Sequence, residues 1–355
     1  MTVVFVTNNF GFLWIAIEAT TLCSAPLIYF HRSKSAVEAA WKYLMICSVG
    51  IAFALFGTIC IFASSQSSAN LAGSLNFSIL QERASTLQYP LLRLGFLLCL
   101  VGYGTKAGIF PLHSWLPDAH SEAPAPASAM LSGGLLNCAL FAIWRTSLLL
   151  TASGHGIFVE HALLFIGVLT VFVASIFLIR QYGIKRLFAY SSIENVGLMM
   201  TAIALGSGPL FFLLALNHSV AKVALFLLSG NIIQATGTKS LNKIRGLLTV
   251  SPLWSALLVM AAIAVTGAPP FGSFAAEWML LADSSRRELW PVVAVLSVAL
   301  AISFISLSAH VTKMLFGKPC LSNVSFSAPL SSAVPALLVV LMFLLGVTAV
   351  PKLIW

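Results

Sequence analysis

Gly102-Tyr-Gly104-Thr-Lys106-Ala-Gly108-Ile-Phe-Pro111 puts a lysine and a cluster of helix breakers inside an otherwise apolar run. A charge at bilayer depth costs roughly 2.5–3.5 kcal/mol on insertion scales. Backbone freed by glycine and proline at that depth needs protein or water around it. The stretch therefore predicts a transmembrane helix broken near the midplane, a feature of transporter binding sites. A packing kink is the plainer alternative. A second stretch of the same kind follows at Thr266-Gly267-Ala-Pro269-Pro270-Phe-Gly272.

The rest of the chain agrees. Of 355 residues 59% are hydrophobic and 8% charged, against about 25% charged in a soluble domain. The reading is an all-α, polytopic transmembrane helix bundle with no sizeable soluble domain. Apolar runs near 10–30, 42–64, 91–111, 125–149, 157–179, 187–207, 209–234, 252–282, 290–315 and 329–350 make about ten spans of the roughly 20 residues a helix needs. The net charge of +9 lies in short loops rather than one patch, which argues against nucleic acid. Arg32, Lys34, Lys42, Arg180, Lys185, Arg186, Lys239, Lys243, Arg245, Lys313 and Lys318 fall on one side. Arg83, Arg93, Arg145, Arg286, Arg287 and Lys352 fall on the other. The excess predicts both termini outside. Six scattered cysteines (Cys23, Cys47, Cys60, Cys99, Cys138 and Cys320) form no cluster for zinc or iron–sulfur and read as small packing residues. No basic region precedes the first apolar run, so no cleaved signal peptide is expected.

Within the spans lie Glu18, Lys106, Glu194, Lys222 and Glu277, with His218 and His310. Several buried ionisable groups point to a proton or cation pathway, in which a lysine released from its carboxylate partner gives up its proton more readily. A static ion pair fixing helix packing is the alternative for Glu18 and Lys106. His218 and Lys222, four residues apart, share a helix face suited to a relay. Glu194 reads as a relay acid or as the anchor of a fixed network, and His310 equally as an exit group or as packing. His113, Asp118 and His120 lack metal-site spacing and read as capping and loop packing.

Polar residues recur in order: Glu18 precedes Lys106 by 88 residues and Glu194 precedes Glu277 by 83, while Lys106 to Asn137 and Glu277 to His310 span 31 and 33. The recurrence spans five helices, an odd number, and so predicts an inverted-topology repeat with two broken helices. Residues 1–150 form a first half, 151–320 a second, and 321–355 a C-terminal helix. The fifth span has no counterpart at the front, so the first half is expected to lack its opening helix.

The stretch Gly104-Thr-Lys106-Ala-Gly-Ile-Phe-Pro-Leu-His113-Ser-Trp-Leu-Pro-Asp118-Ala-His120-Ser-Glu122-Ala-Pro124 resembles the signature of the antiporter-like membrane subunits of respiratory complex I, membrane-bound nickel–iron hydrogenases and multisubunit cation/proton antiporters. Lys185-Arg-Leu-Phe-Ala-Tyr-Ser-Ser-Ile-Glu194-Asn, Asn217-His218-Ser-Val-Ala-Lys222 and Pro270-Phe-Gly-Ser-Phe-Ala-Ala-Glu277 support it. Ile17-Glu18-Ala-Thr-Thr and Ser-Ile-Glu194-Asn look most like hydrogenase-4 component F and its formate hydrogenlyase relatives.

The resemblance implies about fourteen helices, of which the first four are expected to be missing here. It also implies a proton-translocating subunit of a prokaryotic plasma-membrane oxidoreductase, with no redox cofactor or metal of its own and with hydrogenase or complex I-like membrane subunits as partners. Glu18 and Lys106 would be the first-half carboxylate and lysine, Lys222 the connecting lysine and Glu277 the terminal exchange residue. Asn137 stands where complex I relatives often carry lysine. A sodium or potassium/proton antiporter subunit and an inactive truncated scaffold are the alternatives.

Overall fold

Every backbone polar group in lipid must be paired within its own segment, which leaves helices for a chain this apolar. The structure, a computed structural model, describes residues 1–66, 73–318 and 330–349. Cys320 and Lys352 lie outside the described residues. In order come α1 (Phe10–Ile28), α2 (Lys34–Ser64), α3 (Tyr89–Ala107), α4 (Trp115–Glu122), α5 (Ala125–Met130), α6 (Leu136–Leu150), α7 (Gly156–Ile179), α8 (Ile184–Ala204), α9 (Gly208–Thr236), α10 (Pro252–Val265), α11 (Gly272–Arg286), α12 (Trp290–Leu315) and α13 (Leu330–Ala349). Each of the ten expected spans has its helix. Among the described residues the only β pairing is two isolated bridges, Asn9–Asn76 and Gly183–Ser240.

Local signals set the ends. The Asn9 side chain accepts from the Gly11 and Phe12 amides at the start of α1, and Ser33 accepts from Ala36 at the start of α2. The fourth span runs from α5 through a wide turn at Leu131–Leu135 into α6. Chain direction then changes around Gly154, at φ 89.

The sequence places both breaks, but one detail differs. Gly102 and Gly104 do not interrupt α3. The helix continues to Ala107 and ends on Gly108, at φ 78. Gly104 contributes instead through its carbonyl, which accepts from the Ile109 amide at 3.0 Å. Gly102 serves helix contact: a Cβ there would stand 2.5 Å from the Ala54 nitrogen of α2. Small residues let helix backbones approach closely in a membrane. The same holds between α7 and α8, where a Cβ on Gly197 would meet the Gly167 carbonyl at 2.7 Å. The second break, between α10 and α11, contains Pro269 and Pro270 as expected.

The strongest span of α8 is 100% buried and that of α12 only 28%. Helix α8 is thus the centre of the bundle and α12 lies at its rim, where the exposed apolar side chains match a lipid bilayer.

Candidate proton pathway

Lys106 occupies the last turn of α3, immediately before the first break. Its side chain is fully buried. The ammonium donates to Thr21 Oγ1 at 2.8 Å and to the Tyr43 hydroxyl at 2.5 Å, and stands 4.6 Å from the centre of the Tyr43 ring. Thr21 lies one turn after Glu18 on α1 and donates to the Glu18 carboxylate at 3.2 Å. Glu18 and Lys106 are therefore joined through a hydroxyl rather than in direct ion-pair contact. The Tyr43 hydroxyl continues to Ser24 at 2.6 Å.

The second lysine repeats the pattern. Lys222, fully buried on α9, donates to Ser191 Oγ at 2.6 Å and to the Phe188 carbonyl at 3.3 Å, both on α8. Glu194, also buried, lies one turn after Ser191 and within electrostatic reach of Lys222. Among the described residues the ion pairs lie elsewhere: Asp118 with Lys42 at 2.6 Å and with Arg186 at 2.8 Å, Glu122 with Lys239 at 3.0 Å, Asp283 with Arg286 at 3.3 Å and Glu160 with Arg287 at 4.0 Å. Each buried lysine thus rests on neutral groups, and at Lys106 a carboxylate lies beyond a single hydroxyl.

Asn137, on α6, faces α9, the helix that carries Lys222. Its amide nitrogen donates to Ser219 Oγ at 2.7 Å and to the Gly133 and Ala215 carbonyls, while Oδ1 has no partner among the described residues. His218, one turn before Lys222, approaches the Ser132 carbonyl at 3.3 Å through Nε2, and its Nδ1 is unpartnered there.

Glu277 is buried at the second break. Its carboxylate fills the space beside Gly267, at φ 65, where a Cβ would lie 1.8 Å from Oε2. Glu194 is within its electrostatic reach. Asn217 fits the same break, its Oδ1 over Gly272 and without a partner among the described residues. His310 is not brought to these groups: half-buried on α12, it approaches the Leu178 carbonyl at 3.3 Å.

The His113/Asp118/His120 stretch divides. Asp118 ties α4 to α2 and α8 through Lys42 and Arg186. His113 lies among Phe110, Phe177 and Tyr190. His120 differs from a loop-packing residue: fully buried and stacked on Phe226, it has both ring nitrogens unpartnered among the described residues, with Lys185 and Lys222 in electrostatic reach. The sequence reading places His120 among packing residues and passes over the hydroxyls of Thr21, Tyr43 and Ser191. Thr21 and Ser191 were findable, because each stands three residues from a glutamate inside an apolar run. Nothing local marks Tyr43. Among the described residues, no three His, Cys, Asp or Glu side chains gather as a metal site would need.

Residues 7–303 match the family described as NADH:quinone oxidoreductase/Mrp antiporter, transmembrane. The chain is 37% identical over 318 residues to a hydrogenase-4 component F homolog of Methylacidiphilum infernorum, an alignment covering 88% of this chain and 66% of that protein. It is 30% identical over 373 residues to hydrogenase-4 component B of Escherichia coli, covering 97% and 53%. It therefore spans between about half and two thirds of these curated relatives. Among solved structures, a chain of the membrane-bound sulfane sulfur reductase, an archaeal respiratory membrane complex, superposes with TM-score 0.89 at 27% identity, covering 99% of this chain and 71% of that one.

Proposed function

This chain belongs to the NADH:quinone oxidoreductase/Mrp antiporter membrane family, and we propose that it is the proton-translocating subunit of a membrane oxidoreductase of hydrogenase-4 type. Its partners would be the other membrane subunits of a hydrogenase or complex I-like assembly, in a prokaryotic plasma membrane, with both termini outside. Electron transfer would take place in those partners.

The observation that carries the reading is the lysine–hydroxyl–carboxylate bridge at Lys106–Thr21–Glu18, with a second buried lysine, Lys222, resting on the Ser191 hydroxyl within electrostatic reach of Glu194. A direct ion pair would hold each lysine charged. The Thr21 hydroxyl accepts from the Lys106 ammonium and donates to the Glu18 carboxylate, so both partners stay within reach while neither is locked. The path runs Glu18–Lys106, past Asn137, to His218 and Lys222, then to Glu194 and Glu277, with His310 outside it. Asn137 cannot itself take up and release a proton. Its unpartnered oxygen, and the free Nδ1 of His218, suit bridging water. Residues 1–150 and 151–320 would act as two half-channels, followed by helix α13.

The test is Lys106→Ala combined with Glu277→Gln in the assembled complex, with proton movement measured per electron transferred. Loss of proton movement is expected; a normal ratio would sink the proposal. Proton movement that needs sodium or potassium but no electron donor would favour an antiporter subunit.

A further inference from the structure

Helices α1 and α2 are joined by a short loop and enclose between them an apolar groove of about 470 Å³. Leu22, Pro26 and Tyr29 line one wall, and Val37, Trp41 and Leu44 the other. Each set repeats at three- and four-residue steps, so each is a single helix face. Ala25 and Ala40, small and buried, form the floor. The groove runs seven residues along each helix, about 10 Å. Its mouth is basic. Lys34 stands one turn before Val37 on the same face of α2, and the Arg32 amide donates to the Tyr29 carbonyl at 2.9 Å, which holds Arg32 at the end of α1. Both side chains are exposed, and neither has an ion-pair partner among the described residues. The nearby acid Glu38 lines a different cavity, with Lys42 and Asp118.

We propose that this groove holds an anionic phospholipid, with an acyl chain between the two walls and the phosphate between Arg32 and Lys34. The proposal is independent of the proton-translocating reading. A spanning helix laid here would find a groove for only about a third of a hydrocarbon core of roughly 30 Å, whereas the upper part of one acyl chain matches the depth. Tyr29, at the loop end, is the kind of amphipathic ring that sits at headgroup level, and Trp41 lies one turn deeper than Val37. The loop also lies on the side with the larger number of lysines and arginines. The positive-inside rule assigns that side to the cytoplasmic leaflet, whose anionic lipids attract basic groups at the surface.

The experiment reads Trp41 fluorescence in the full assembled complex, held in nanodiscs of phosphatidylcholine and phosphatidylglycerol. Each lipid in turn carries bromine at mid-chain, which quenches a tryptophan that it touches. Subtracting the same measurement on Trp41→Phe isolates Trp41 from the other tryptophans. The relative binding constant at Trp41 is expected to favour phosphatidylglycerol by at least about fivefold. Arg32→Gln combined with Lys34→Gln should bring that ratio to near one and leave the ratio for the remaining tryptophans unchanged. Both side chains are exposed, so the double variant should assemble normally. A preference below about twofold in the unsubstituted complex would overturn the proposal. A full preference that survives the double substitution would overturn the phosphate site. Failure of either lipid to quench Trp41 would also overturn the proposal and assign the groove to a helix of a partner subunit.

Discussion

Gly267→Ala perturbs the second break at one point. The added methyl would lie 1.8 Å from Glu277 Oε2, 2.3 Å from Cδ and 2.6 Å from Oε1. Ordinary contact begins near 3.4 Å, so the carboxylate must retreat by about 1.6 Å, enough to lose a transfer distance of roughly 2.6–3.2 Å. A hydrogen bond to a charged group is worth about 1.5–3 kcal/mol, so losing one slows proton movement about ten- to a hundredfold. The φ of 65 adds about 1–2 kcal/mol of backbone strain for alanine. Gly206→Ala controls for the strain, because Gly206 has φ 68 and nothing within 4 Å of its would-be Cβ. Both variants should assemble with similarly lowered thermal stability, and only Gly267→Ala should lose proton movement in energised vesicles. Shortening the acid with Glu277→Asp in the Gly267→Ala background should restore part of it. If assembled Gly267→Ala keeps more than half the activity, the Gly267 space does not position Glu277.

Thr21→Val removes the hydroxyl between Lys106 and Glu18 while conserving shape; leaving the buried ammonium short of an acceptor costs about 1–3 kcal/mol, and proton movement per electron should drop about tenfold. Ser191→Ala should do the same at Lys222, read in the same vesicles. Gly102→Ala forces a methyl to 2.5 Å from the Ala54 nitrogen and should cost about 1–3 kcal/mol of stability by overpacking, seen as a lower melting temperature of the purified protein. Asp118→Asn loses two ion pairs whose members are 27–42% exposed. Solvent screening limits that loss to about 1 kcal/mol or less, so the melting temperature should move little and the difference should shrink in high salt.

The spans were legible because lipid permits few alternatives: a long apolar run must be helical, and the Gly–Pro clusters located both breaks. The same letters misled at Gly102 and Gly104. Glycine signals either a backbone that departs from the helix or a backbone approached by another helix. Only the partner, here Gly50 and Ala54 on α2, decides between them. The buried acids and lysines were visible as charges inside apolar runs, yet their pairing was not. Thr21 and Ser191 could have been read from their one-turn spacing to Glu18 and Glu194. Tyr43 reaches Lys106 from another helix, across 63 residues of chain, and no local pattern announces it. The complete burial of His120 was not legible for a related reason: on an eight-residue helix rich in charge, a buried face and an exposed face look alike in sequence.

The division between ion pairs and hydroxyl bridges is itself an argument about mechanism. Direct Lys/Arg–carboxylate contacts hold α4 to its neighbours through Asp118 and Glu122, where water is near and strength is modest. In the interior, where a direct pair would be strongest and hardest to separate, both lysines instead rest on hydroxyls and carbonyls. A scaffold that merely fixed its helices would gain by the opposite arrangement. Converting the interior bridge to a direct contact offers the corresponding test. Thr21→Asp places a second carboxylate where Thr21 now accepts from Lys106, so an ion pair can form at the former 2.8 Å position. The assembled variant is expected to move few protons, because its lysine is held. Full proton movement by that variant would show that separation of charge at Lys106 is not what the hydroxyl provides.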